Sequence, residues 1–198
     1  MTNVNGKLIL GNSIGKIWVE YLRYVLQNGT VVDDDKGKII EVPQVTIELN
    51  LDNKADNILS KYASKKIIEL YTKKMTSIDI ILELNSSYGQ RLYSQMGINQ
   101  VDWLIERLRS KPFTKSASIA LLLPNDPGPR IPCLIAIDTK IRNNSLILTG
   151  IFRSQNAFNS YGNIIGLSDL QDKIAEELNI SKGLLRLFIL SPHLYIKD

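Results

Sequence analysis

IPCLIAIDTKIRNNSLILTGIFRS, residues 131–154, is the stretch that decides how this chain folds. Two alternating apolar runs flank the polar turn Arg142-Asn143-Asn144-Ser145. Turn chemistry between two such runs is a hairpin signal. Folded about Asn143-Asn144, the hairpin brings Cys133 beside Arg153 or Ser154 on the neighbouring strand. Cys133 is the only cysteine. A cation close to a thiol favours the thiolate, which is the nucleophilic form. An arginine and a hydroxyl beside a nucleophile also suit an anionic ligand, phosphate above all. The plainer reading is a buried structural cysteine with a surface arginine.

Outward from the hairpin, strands and helices mix without strict alternation. Ser13 to Gln27 carries Ile14, Trp18, Tyr21, Leu22 and Val25 at helical spacing, with Asn28-Gly29 as a stop. Lys38 to Asn50 reads as strand, interrupted at Pro43, which argues for an edge or a bulge. Ile58 to Lys74 reads as a second helix, Ile78 to Leu84 as a short strand, and Asn99 to Arg109 as a helix. Ala117 to Leu123 reads as a buried strand with apolar residues on both faces, and 124–132 as a proline-rich loop. Ser168-x-x-Gln171 reads as a capping box opening a helix to about Leu178, and Leu184 to Ser191 as the last strand. The pattern predicts an α+β (mixed α/β) domain spanning 1–198, a large mixed β-sheet with helices packed on it.

Composition narrows the class. A chain of 198 residues, 44% hydrophobic and 22% charged, can bury a substantial core. The net charge of +4 comes from scattered lysines, which make no nucleic-acid footprint and equally suit a nucleotide phosphate. No run approaches the length of a membrane span, and no cleavable leader is evident, so a cytoplasmic location is expected. One cysteine excludes an internal disulfide, and with one histidine it makes no conventional zinc site.

Beyond the hairpin come Asn163, a helix-like run, Gly183 and then His193-Leu194-Tyr195. Cys133 to Arg153 is twenty positions and Asn163 to His193 is thirty. In order and spacing these motifs resemble the thymidylate synthase and deoxycytidylate hydroxymethylase family. Tyr88-Gly89-Gln90-Arg91 is similar to the family's Tyr-Gly segment, and Thr114-Lys115-Ser116 stands where it has Ser-Arg-Arg. The likeness covers Tyr88 to Tyr195. The first half is similar only to short archaeal-type members, through GNSIGKIWVEYLRYVLQNG.

The resemblance implies a thymidylate synthase-like fold, a homodimer of stacked sheets, and a pyrimidine nucleotide monophosphate as substrate. Cys133 matches the nucleophile that adds to C6 of the base, making C5 reactive toward a one-carbon unit from methylenetetrahydrofolate. Arg153 and Ser154 match phosphate ligands, and Lys115 would reach the phosphate from the partner. Asn163 matches the amide that reads the base edge, pointing to deoxyuridine monophosphate. His193 and Tyr195 match contacts to the sugar hydroxyls. Asn156 stands where the family has an aspartate near the folate. The catalytic glutamate falls on Glu69, with Glu83 as the alternative. Singly, each has a plainer reading: Asn163 as a turn residue, His193 as a strand-end cap, Glu69 as a solvated helix charge. Three activities stay open: C5 methylation, hydroxymethylation, and nucleotide binding without turnover.

Overall fold

The computed structural model describes residues 6–51, 56–81, 87–124, 126 and 131–197. The chain runs through β1 (Lys7–Gly11), α1 (Ile14–Asn28), β2 (Thr30–Asp34), β3 (Gly37–Glu41), β4 (Val45–Leu49), α2 (Asn57–Tyr62) and α3 (Lys65–Thr76). It continues with α4 (Tyr88–Tyr93), α5 (Gln100–Ser110), β5 (Ser118–Ala120), β6 (Leu134–Arg142), β7 (Ser145–Phe152) and β8 (Gln155–Asn156). It finishes with α6 (Ser160–Leu178), β9 (Ser181–Ile189) and β10 (Pro192–Tyr195). The fold is α+β, with parallel and antiparallel pairs mixed in its sheets.

The hairpin of β6 and β7 pairs Arg142 with Ser145, and Asn143 and Asn144 both take left-handed φ, at 50° and 55°. That is the turn whose twist matches two right-twisted strands. Among the described residues six strands then line up in the order β1-β4-β9-β7-β6-β5. Ile9, Ile47, Leu187, Ile137 and Ile119 point to one face and are buried there. Helices α1, α5 and α6 pack on strands of this sheet. The opposite face carries Leu8, Thr46, Phe188, Ile151, Ala136 and Ala120 in one register row. This row is half-buried or exposed.

A second sheet, β2-β3-β10-β8, was not foreseen in the sequence. Pro43 explains it: the 38–50 run is two strands, and the break at 42–44 sends β3 and β4 to different sheets. The expected helix 58–74 is also two. The backbone turns extended at Ala63, and Ser64 starts α3 by accepting the Ile67 N–H on its hydroxyl. Ile78 and Ile80 are exposed and not strand, while Leu82 to Leu84 lies outside the described residues. The 117–123 run is strand over Ser118–Ala120 alone, and Ser118 and Ala120 are exposed, so it alternates instead of burying both faces.

The capping box at Ser168 and Gln171 is not a helix start. Both residues are buried in the middle of α6. Gln171 Nε2 donates to the carbonyls of Leu146, Gly183 and Leu184, where the β7–β9 register slips. Ser168 Oγ accepts from Lys182 Nζ at 2.7 Å. Gln171 thereby satisfies carbonyls that the sheet irregularity would otherwise leave unpaired. Among the described residues no helix is long and apolar enough to cross a membrane.

Candidate active site around Cys133

Cys133 immediately precedes β6, and Arg153 immediately follows β7. The Arg153 N–H donates to the Cys133 carbonyl at 2.9 Å, extending the hairpin ladder by one bond. Ser154 Oγ donates to Cys133 Sγ at 3.6 Å, a weak bond of the length sulfur allows. The Arg153 guanidinium reaches back along the strand entry. Its Nε donates to Pro132 O at 3.1 Å and its Nη2 to Ile131 O at 2.8 Å. It thereby fixes the segment that carries the cysteine. Cys133 itself is half-buried and Arg153 is exposed.

The next residues lead to the second sheet. β8 pairs with β10 in parallel, setting His193 opposite Asn156, and the Ala157 N–H donates to His193 O at 2.8 Å. His193 is buried, its Nδ1 3.1 Å from Ser191 O, and its ring meets Tyr195 edge-on at 5.3 Å. Asn156 Oδ1 accepts the Phe158 N–H at 2.9 Å. Asn163 lies in the first turns of α6, not in a turn, and is 7% exposed. Among the described residues its Oδ1 accepts no hydrogen bond. A buried amide oxygen left without a donor costs about 1–3 kcal/mol unless a ligand or water supplies one.

On the other side of Cys133, three residues converge from α3 and α4. The buried Tyr88 hydroxyl accepts the Leu134 N–H at 3.3 Å. Lys74 Nζ sits 4.1 Å from the centre of the Tyr88 ring and 5.3 Å from that of Tyr71. α6 can press on Tyr71 because position 162 is glycine: a Cβ there would stand 2.7 Å from Tyr71 Cγ. Burial, and then the nearby Cys133 charge, pushes the Tyr71 phenol up to about 12. Burial and the same charge raise Tyr88 well above its ordinary value, against the pull of the Leu134 N–H and Arg153. Burial lowers Lys74 to about 8, and the Cys133 charge opposes it.

The sequence missed this side. Lys74 belongs to a lysine-rich run that reads as a solvated face. The signal was its spacing: Tyr71, Lys74 and Met75 stand at i, i+3 and i+4, the stripe a helix turns inward. Glu69 is exposed. It is two residues from Tyr71, about 200° round the helix, so it faces away from the cluster. Glu83 lies outside the described residues. Lys115 is exposed on the segment between α5 and β5. The structure thus brings Cys133, Arg153 and Ser154 into direct contact and puts His193 and Tyr195 on the strand beside Asn156. It leaves Glu69 facing away from them.

No family model matches the sequence. Whole proteins do. A Methanosarcina mazei protein named "Putative thymidylate synthase" is 28% identical over 198 residues, covering 98% of this chain and 91% of its own. A Methanocaldococcus jannaschii protein of the same name is 29% identical, covering 93% of this chain and 88% of its own. A Methanopyrus kandleri protein, again so named, is 22% identical over 96% of this chain and 94% of its own. Over nearly its whole length, the chain is similar to these archaeal proteins, a distant likeness that supports a thymidylate synthase-like family.

Proposed function

We propose that this protein is an enzyme that methylates C5 of deoxyuridine monophosphate, with Cys133 as the nucleophile. The observation that carries the reading is the hairpin contact itself: Ser154 Oγ on Cys133 Sγ, with Arg153 bonded to the cysteine's own carbonyl. The names of the archaeal relatives support the same class of activity.

C5 of a pyrimidine is a poor nucleophile. Addition of the Cys133 sulfur to C6 forms an S–C bond and moves the ring's electron pair toward C5 and O4 as an enolate. C5 then forms its bond to the one-carbon unit. Loss of the C5 proton and departure of sulfur from C6 restore the double bond. Arg153 and Ser154 bind the nucleotide phosphate beside the nucleophile, with Lys115 joining them from a second subunit. Asn163 reads the base, since an amide can both donate to O4 and accept from N3–H, and its buried oxygen lacks a donor among the described residues. His193 and Tyr195 hold the sugar hydroxyls. Methylenetetrahydrofolate would supply the one-carbon unit, with the C–N bond to that carbon breaking, and the hydride that takes it to methyl. Asn156 fits a contact to that molecule as a neutral amide, oriented through the Phe158 N–H on its Oδ1.

The second copy docks on the open face of the six-stranded sheet. There the row of Leu8, Phe188, Ile151, Ala136 and Ala120 offers apolar surface. Light scattering at micromolar concentration checks this, with the dimer mass expected. Ile151→Arg shifts the protein to monomer, and a monomeric wild type refutes the stacked-sheet arrangement.

The activity test is tritium release from C5-labelled nucleotides, with and without methylenetetrahydrofolate. Release from deoxyuridine monophosphate, abolished by Cys133→Ser, is expected. Release from a cytosine nucleotide alone would replace methylation of uracil by hydroxymethylation of cytosine. No release from deoxyuridine, uridine, deoxycytidine or cytidine monophosphate would overturn the catalytic reading.

A further inference from the structure

The last turn of α3 and the first turn of α4 are stitched together. Ser87 Oγ accepts the Gln90 N–H, capping α4, and donates to Lys74 O at 3.3 Å and to Ser77 O. Gly89 lies so close to Ser77 that a Cβ there would stand 2.3 Å from its carbonyl oxygen. This stitch sets the Tyr88 ring under Lys74 Nζ. It also sets the Tyr88 hydroxyl on the backbone of Leu134, next to Cys133. The charges of Lys74, Tyr71 and Tyr88 all interact with that of Cys133. Among the described residues Lys74 Nζ forms no salt bridge with a carboxylate. A lysine nitrogen held on aromatic faces without a carboxylate is poised to exchange a proton.

We infer that Lys74 is a positioning residue of this site, the proton partner of Cys133: seated on the Tyr88 ring, its amine takes the thiol proton when the sulfur becomes a nucleophile. The S–H bond breaks, an N–H bond forms, and an ammonium–thiolate pair results. When sulfur later leaves C6 the proton returns to it. The inference rests on the reading of Cys133 as the nucleophile, but it needs no nucleotide to be tested. The groups that face this exchange are Tyr71 on α3, Tyr88 on α4, Cys133 before β6 and Arg153 after β7, with Tyr161 of α6 acting on Tyr71. Arg153 is a permanent cation. Both phenols stay protonated across the neutral range, so Lys74, lowered to about 8, is the member of this set that can give up its own proton just above neutral pH and then take that of the thiol.

Cys133 is the only cysteine, so its alkylation by iodoacetamide, followed by mass spectrometry, reports one site. The rate is measured from neutral to alkaline pH for the wild type, Lys74→Met, Lys74→Gln and Lys74→Arg. In Lys74→Met and Lys74→Gln the pH of half-maximal rate should move up by about one unit. That is about a tenfold loss of rate at neutral pH that disappears in alkali. Lys74→Arg restores the cation and should recover most of the neutral-pH rate. It cannot take the proton, so in an active enzyme it should still lower kcat for tritium release. Thermal unfolding identifies variants that fold, and Lys74→Gln and Lys74→Arg serve if Lys74→Met does not. Superimposable alkylation profiles of the wild type and a folded Lys74→Met or Lys74→Gln would overturn the inference. A shifted profile without tritium release from any nucleotide would leave Lys74 as the partner of Cys133 and refute the methylation reading alone.

Discussion

Replacing Asp56 should cost stability at two helix starts at once. Asp56 Oδ2 accepts from Ser13 Oγ and from the Gly15 N–H, each at 2.7 Å. Its Oδ1 accepts from Ile58 N at 3.0 Å and Leu59 N at 3.1 Å. One carboxylate therefore caps α2 and clamps the start of α1. Loss of an N-cap costs about 1 kcal/mol. The buried Gly15 N–H left without an acceptor adds about 1–3 kcal/mol. Asp56→Ala should then cost about 3 kcal/mol in urea unfolding at neutral pH. Asp56→Asn keeps one oxygen for Ile58 and Leu59 but turns a donor toward Gly15, and should cost about 1–2 kcal/mol.

The pH dependence separates charge from packing. Burial alone would raise this carboxyl. The Gly15 N–H, the Ser13 hydroxyl and the N–H groups of Leu59 and Ile58 outweigh it and hold the group below 3.8. A depressed folded value means the contribution is fully present above the ordinary carboxylate range and fades as pH falls through the folded value. The gap between wild type and Asp56→Asn should therefore be flat at neutral pH and shrink below about pH 4. An Asp56→Ala cost under about 0.5 kcal/mol, the level of an ordinary surface change, or a gap to Asp56→Asn that persists unchanged into acid, would refute the reasoning.

Three other outcomes follow from the site. Arg153→Ala should weaken binding of deoxyuridine monophosphate by about 1.5–3 kcal/mol in calorimetric titration, the range for hydrogen bonds to a charged group. Unchanged affinity would remove Arg153 from the phosphate site. Gly89→Ala should destabilise by at least about 1–3 kcal/mol, because its Cβ would meet the Ser77 backbone at 2.3 Å and neither helix end can yield without moving Tyr88. A neutral melting temperature would show that the two helix ends slide freely. Lys74→Met should raise stability at neutral pH by on the order of 2 kcal/mol, since burial disfavours the charged amine. The folded value lies below the unfolded one, so the unfolded chain binds more protons between about 8 and 10.5 and wild-type stability rises across that window. The advantage of Lys74→Met should vanish there, and a pH-independent difference would contradict it.

The parts legible in the sequence are those whose signal is local. Asn143-Asn144 between alternating runs announces the hairpin, and Ser13 and Asn99 each cap the helix expected after them. The contact of Cys133 with Arg153 and Ser154 follows from that hairpin by counting. What was hidden depends on partners far along the chain. β10 is four residues long and exists because β3 and β8 flank it. Ser160, Gly162, Asn163, Ser168 and Gln171 make α6 look polar and interrupted, yet all are buried in it. Gly162 admits Tyr71, and Gln171 mends the sheet. Lys74 was missed for the same reason, because only the Tyr88 ring, brought in by α4, distinguishes it from the lysines around it.

The strand order has a consequence for how the molecule is made. β9 joins β4 on one side to β7 on the other, although β1 and β4 come from the first quarter of the chain. On the ribosome the β6–β7 hairpin can close as soon as it emerges, with Cys133 already facing Arg153. The β1–β4 pair must wait, its apolar edge uncovered, until residues 181–189 are synthesised. Pairings of such long separation are slow to form and exposed to aggregation meanwhile. Ribosome-bound chains ending before β9 should therefore recruit chaperones, and release of that burden should coincide with the appearance of the strand that completes the sheet.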